Sequence, residues 1–351
     1  MADMGWAPWS IAWYAMGMCF VATLNLAVTA RATWTWSRSM GLHEHDTAEQ
    51  QATDKYRRKM RVLSIPFVVV CAWRAYFPSI YLKRYCFIDS IFSNILAARL
   101  MSTVSELCLA WQITSAILRV ESDLRRERAW RGGVNGDERS VPMLGGAADE
   151  PGLARSSSQC RGGCRSVCVR TAAVLFTAII AFAEVNSCLG TSTTNSLFFM
   201  LEEGSWVVGG TLFLLPASIS LVVSLGNLRA HLKIADPARL PALRTVQRFV
   251  VGLVLFMVAY CLWGVISDVP SNYRRWHNDT AHNKTYPSVA QGFANAAAHC
   301  EPTRGWDAWA PYLLWMTAYF SGLVWCSIAR RSLALVNSEG LRSSAPAALL
   351  L

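Results

Sequence analysis

The sequence predicts an all-α fold, a polytopic membrane helical bundle of seven transmembrane helices with the N-terminus outside and the C-terminus cytoplasmic. Three observations predict it. Of 351 residues, 53% are hydrophobic and 16% charged, against about 25% charged in an ordinary soluble domain. The charges crowd into a few segments separated by stretches of roughly 20 nearly uncharged residues, the length that crosses a hydrocarbon layer about 30 Å thick as a helix. Lys and Arg also alternate: 25 fall in one set of connections and six in the other, which is the positive-inside pattern. A soluble enzyme and a disordered chain are thereby excluded. The net charge of +10 reads as cytoplasmic loops, with no nucleic-acid partner implied.

The first span runs from about Trp9 to Ala30. Asp3 is the only charge before it, and no cationic n-region or small-residue cleavage site precedes it, so it is expected to stay as an anchor. The second (Val62 to Leu82) and third (Phe87 to Leu118) are separated outside by Lys83 and Arg84. The fourth (Val167 to Leu189), fifth (Ser196 to Leu228), sixth (Phe249 to Val269) and seventh (Trp309 to Ala329) complete the set. The third and fifth exceed the minimum length and should tilt or project. In domain terms, 1–120 carries helices one to three, 121–165 is a flexible basic cytoplasmic loop, 166–335 carries helices four to seven with the outer loop 270–308, and 336–351 is a cytoplasmic tail.

Two connections carry further signals. In 121–165, ESDLRRERAWR prolongs the third helix with Glu and Arg at helical spacing, and the Gly-, Pro- and Ser-rich remainder should be a loop. That loop is either a plain tether or a docking segment for a cytoplasmic partner, phosphorylated at Ser156 to Ser158 after Arg155. For Cys160, Cys164 and Cys168 near the fourth span the first expectation is no special role, then reversible S-acylation, then metal. In the outer loop, Asn278-Asp279-Thr280 and Asn283-Lys284-Thr285 are N-glycosylation sequons on the side assigned outside. Cys86, Cys188 and Cys300 lie near outer ends, allowing one disulfide whose pairing the spacing leaves open. Trp6, Trp9, Trp13, Trp34, Trp36, Trp306, Trp309 and Tyr312 sit near span ends as an interface belt.

Charged groups in hydrocarbon are costly and usually face the bundle interior. The third span places Arg99, Thr103, Glu106 and Ala110 on one face. Arg99 and Glu106 are two turns apart, too far for comfortable contact, so each is expected to pair with another helix: Arg74 for Glu106, and Glu184, Glu202 or Glu203 for Arg99. Glu202 and Glu203 point about 100° apart; Glu202, stacked with Trp206 four residues on, is the inward acid. Glu184, Asn186, Asn195 and Asp89 lie near the same outer level. The expected result is a carboxylate-rich pocket opening outward above Arg99 and Glu106. Glu203 and Asp89 are expected to be interfacial, and a purely structural Arg–Glu clamp is the plain alternative.

All six His (His43, His45, His231, His277, His282 and His299) lie outside the spans, so no intramembrane haem or His-based metal site is expected, and no cofactor is implied. A Gly-rich phosphate loop, HExxH, GxSxG, a DRY tripeptide and NPxxY are absent. The pocket suggests an intramembrane isomerase or cyclase acting on a lipophilic isoprenoid, sterol or lipid-like substrate. Glu106 and Glu202 would be its acid and base, with Arg99, Arg74, Glu184, Asn186 and Trp206 binding substrate. A seven-helix ligand sensor and a proton-coupled small-molecule carrier are the alternatives, in the endoplasmic reticulum or plasma membrane.

Overall fold

The computed structural model describes residues 8–39, 48–137, 153–235, 240–298, 300–303, 305–313 and 316–317. Helices dominate them. In order these are α1 (Pro8–Ser39), α2 (Ala48–Tyr76), α3 (Ile95–Asp137), α4 (Leu153–Thr193), α5 (Ser196–Val208), α6 (Leu215–Ala235), α7 (Leu240–Trp263), α8 (Val269–Ala281), α9 (Val289–Ala298) and the short α10 (Trp306–Trp309). A π turn over Gly209–Leu214 joins α5 to α6, and another over Gly264–Asp268 joins α7 to α8, so each pair makes one continuous rod. The rods run antiparallel, since α6 packs on α7 and α5 on α8.

Among the described residues, four helices are long and apolar enough to cross a membrane: Trp13–Arg31, Arg165–Thr193, Ser196–Lys233 and Leu243–Ala281. They mark the chain as a membrane protein. The expected second and third spans do not reach that standard. α2 opens with the charged run from Glu49 to Arg61, and α3 carries Arg99, Glu106 and a series of Ser, Thr and Gln. These polar residues are tolerated because α3 is central, packed against α2, α4, α6 and α9. Of the expected seventh span, most lies outside the described residues, as do the tail 336–351 and Trp6.

Several boundaries differ from expectation. The segment expected to be loop after Arg131 stays helical through Gly132 and Gly133 to Asp137, and helix resumes at Leu153, so Ser156 to Ser158 and all three juxtamembrane Cys lie in α4; 138–152 lies outside the described residues. Helix propagation is cooperative, and a 43-residue α3 absorbs a glycine cost of about 1 kcal/mol each. The sixth span likewise continues past Pro270 to Ala281. Pro270 stands directly after the π turn, in the first turn of α8, and such a local change of helical winding lets the rod continue through a residue that lacks an N–H. The outer loop is thus largely α8 and α9.

A cap covers the end of the bundle that the sequence assigns to the outside. The hairpin β1 (Ser79–Ile80) and β2 (Tyr85–Cys86) is antiparallel, pairing Ser79 with Cys86, and β2 takes β3 (Glu301–Pro302) alongside it in parallel. Cys86 and Cys300 form the disulfide, leaving Cys188 as the third, free thiol. Asn94 caps α3 through the Ala97 amide (2.9 Å) and donates to the Ala297 carbonyl (2.6 Å), tying α9 down. Arg84 donates to the Ser192 carbonyl at 3.0 Å. A Cβ on Gly292 would collide with that same carbonyl, so only glycine lets α9 lie this close to the end of α4.

Trp309, expected in the interface belt, is instead buried: its indole donates to the Thr303 carbonyl at 2.8 Å and its ring meets Phe87 edge-on at 6.1 Å. Trp13 and Trp34 are exposed.

Candidate functional site

Beneath the cap, α3, α4 and α5 each contribute a carboxylate to one arginine. Arg99 reaches Glu184 through Nη2 in a tight ion pair, Glu106 at 3.6 Å through the same nitrogen, and Glu202 at 3.4 Å through Nη1. Its Nε donates to Thr103 at 3.3 Å. The four residues are 4% (Arg99), 8% (Glu106), 1% (Glu184) and 6% (Glu202) exposed. One oxygen of each acid lies within 4.8 Å of the others, and the guanidinium stands where a cation would.

The pairing of Arg99 with Glu106 at 3.6 Å corrects the expectation that two turns keep them out of contact. The rise between them is about 10 Å, and two long side chains converging from opposite ends span it. Arg74 was expected to pair with Glu106. It donates instead to Ser102 (3.4 Å) and to the Ser79 carbonyl (3.1 Å), with its guanidinium 4.3 Å from the centre of the Tyr81 ring. Arg99 lies 5.5 Å from the same ring. Tyr81 therefore bridges two buried arginines by cation–π contact, and its hydroxyl meets Ser102 at 2.8 Å.

The other expected members sit apart. Asn186 is buried but donates to the Phe182 carbonyl of its own helix at 2.9 Å. Asn195 caps α5 through the Leu197 amide. Asp89 is exposed. Trp206, one turn beyond Glu202, packs edge-on between Phe176 (6.2 Å) and Tyr260 (5.8 Å). Glu203 is not an ordinary interfacial acid: it is half-buried and accepts from the Tyr260 hydroxyl at 3.0 Å.

The expected outward opening is covered. Tyr81, Ile95, Ala98, Phe199 and Ala296 pack together over this end of the bundle, bringing the hairpin, α3, α5 and α9 into one apolar layer. A narrow apolar crevice of about 10 Å³ lies elsewhere, lined by Tyr14, Met18, Ala75, Phe87, Trp309 and Met316 among others. Glu106 and Glu202 do not line it.

Tyr81, Ser102 and Tyr260 escaped the sequence reading because each looks like an ordinary residue of a span. Their only signal is a hydroxyl at a depth where hydroxyls need partners.

On the cap, Lys284 pairs with Asp279 at 2.8 Å. The Tyr286 phenol is pushed up to about 12, by burial and then by the Asp279 carboxylate that accepts its hydrogen. No family model matches the chain, and no curated protein or solved structure matches it.

Proposed function

We propose that the chain is a seven-span, proton-coupled carrier of a small molecule, in which Arg99, Glu106, Glu184 and Glu202 hold the coupling proton. The observation that carries this reading is the excess of acid. A structural clamp needs one carboxylate per guanidinium, and each further buried acid adds desolvation cost and repulsion. Here three carboxylates meet Arg99. With Arg74 counted, the group still carries one more acid than base, a charge that a proton balances. The acids come from three separate helices, so any movement between these helices changes how tightly that proton is held. The π turns in the α5–α6 and α7–α8 rods, a feature common at functional sites, lie where such movement would be absorbed.

The orientation rests on charge and on the cap. The two connections assigned outside are joined by β2, β3 and the Cys86–Cys300 disulfide, a bond that persists in oxidising compartments. At the opposite end Arg119 donates to Thr53 (3.3 Å), Arg165 to Ser220 (2.6 Å) and Arg229 to Gln247 (3.3 Å). Asn278 and Asn283 are exposed on the capped side, and glycan removal that shifts the mobility of protein from a eukaryotic host tests this assignment.

The transport test uses proteoliposomes with an imposed inward proton gradient, incubated with a cell-metabolite fraction and read by mass spectrometry. At least one solute should accumulate with wild type, a protonophore should collapse the accumulation, and Glu202→Gln should abolish it. Uptake equal to protein-free vesicles for every solute overturns the reading.

The acid–base isomerase or cyclase is the second reading, favoured by the convergence of Glu106 and Glu202 on one buried site. It ranks second because the apolar crevice, about 10 Å³ in volume and lined by neither acid, has room for about one water and none for a lipophilic substrate. Lipid profiles that differ between cells expressing wild type and those expressing Glu106→Gln or Glu202→Gln would reverse the order.

A further inference from the structure

We infer that the outward face of α2 around Lys55, Arg58 and Lys59 binds the headgroup of an anionic membrane lipid that carries more than one phosphate. The inference goes beyond the carrier reading and uses none of its proton chemistry.

Residues 55–61 of α2 read KYRRKMR, five cations in seven residues. Helical spacing sorts them. Lys55, Arg58 and Lys59 are exposed on one face, while Arg57 turns back to Asp54 at 3.1 Å and Arg61 is half-buried. The same face runs on, at intervals of three to seven residues, through the exposed Val62, Ile65, Val69 and Tyr76, so it changes from cationic to apolar between Lys59 and Val62. Such a change is where a helix passes from headgroups into hydrocarbon. α2 packs along α1, whose stretch Trp13–Arg31 is of membrane length, and so shares its depth.

The neighbouring helix supplies an aromatic edge. Lys59 Nζ lies 4.7 Å over the ring of Trp111 in α3, and Trp111 is itself exposed, an indole and a cation paired as at a membrane interface. Among the described residues no carboxylate pairs with Lys55, Arg58 or Lys59. The acids of this end are engaged elsewhere, Asp54 with Arg57, and Asp123 with Arg119 (3.1 Å) and Arg126 (2.5 Å). Residues three and four apart on a helix stand about 5–6 Å from one another, so one headgroup spans all three cations. Arg58 offers a phosphate two parallel N–H groups, and the lysines act as point charges. A diester headgroup brings one negative charge and leaves cations unmatched, whereas each phosphomonoester adds about −1.5 to −2. The apolar continuation from Val62 selects a lipid over a soluble phosphate, because the acyl chains of the bound molecule lie along it.

The test uses the full chain in detergent, titrated with short-chain phosphatidylinositol bisphosphate, phosphatidylserine or phosphatidylcholine, with bound lipid counted by native mass spectrometry. One bisphosphate lipid should bind at least about tenfold more tightly than phosphatidylserine, and Lys55→Gln, Arg58→Gln and Lys59→Gln combined should weaken it at least about tenfold. Arg274→Gln, which removes an exposed cation of α8 at the capped end, should leave the affinity unchanged. Should the triple variant be recovered unfolded, Arg58→Gln alone carries the test, with an expected loss of about threefold or more. Equal affinity for phosphatidylserine, wild-type affinity in the folded α2 variants, or equally tight binding of soluble inositol trisphosphate overturns the inference. None of these results bears on gradient-driven uptake in vesicles of phosphatidylcholine alone, so the carrier reading stands or falls on its own measurement.

Discussion

The two halves of α3 bury polar groups in opposite ways. Its inner half, the stretch from Leu109 to Leu118 on the side away from the cap, packs Leu109, Ala110, Ile113, Ala116 and Ile117 into the core. Its polar residues there are neutral and matched. Gln112 donates to Ser64 at 2.9 Å and Ser64 to the Met60 carbonyl at 2.7 Å; Thr114 meets Thr177 at 2.7 Å and donates to the Ala173 carbonyl at 2.9 Å. The outer half buries full charges in unequal number around Arg99. The difference teaches where function lies. Neutral matched pairs place helices at a cost of order 1 kcal/mol either way, whereas unequal numbers of buried acids and bases cost several kcal/mol and mark the cluster as the candidate site.

Breaking the outer half at its cation should have the largest effect. Arg99→Met leaves three carboxylates without their shared donor, and stability in detergent should fall by about 3–5 kcal/mol, read as a lower unfolding midpoint and low recovery. Next comes the cap: with Cys86→Ser and Cys300→Ser combined, loss of the link across 214 residues should cost about 2–5 kcal/mol, measured by denaturant unfolding against the oxidised parent. In the inner half, Ile117→Ala opens a cavity and should cost about 2–4 kcal/mol while leaving proton exchange at the wild-type rate. Gln112→Leu removes one neutral donor, and Ser64 keeps its bond to Met60, so the loss should be about 1 kcal/mol.

Glu202→Gln sharpens the comparison most at the smallest stability effect. It removes one acid from an excess and should change stability by less than about 1 kcal/mol while abolishing gradient-driven uptake. If its unfolding midpoint instead drops as far as that of Arg99→Met, the cluster is a structural clamp and the two halves of α3 do the same job.

Much of the membrane character was legible because hydropathy and the Lys/Arg bias are local sums over about 20 residues. Span ends were less so. Pro270 and the Gly132-Gly133 pair are breakers by propensity, yet a π turn accommodates the one and helix cooperativity carries through the other. Arg99 and the three carboxylates are conspicuous in sequence because charge in apolar segments is rare. That Glu203 turns to Tyr260, that Asn186 serves its own helix and that Trp309 is buried are decisions of packing, which periodicity does not report.

By itself, then, the sequence determined that this is a helical membrane protein with charges buried among its spans, since burial of apolar length and exclusion of charge act residue by residue along the chain. Only the tertiary structure decided that three acids share one arginine, that Cys86 chooses Cys300, and that a cap seals the end of the bundle above them. Each of these depends on distances between segments far apart in the chain, and those are set by how the helices pack against α3.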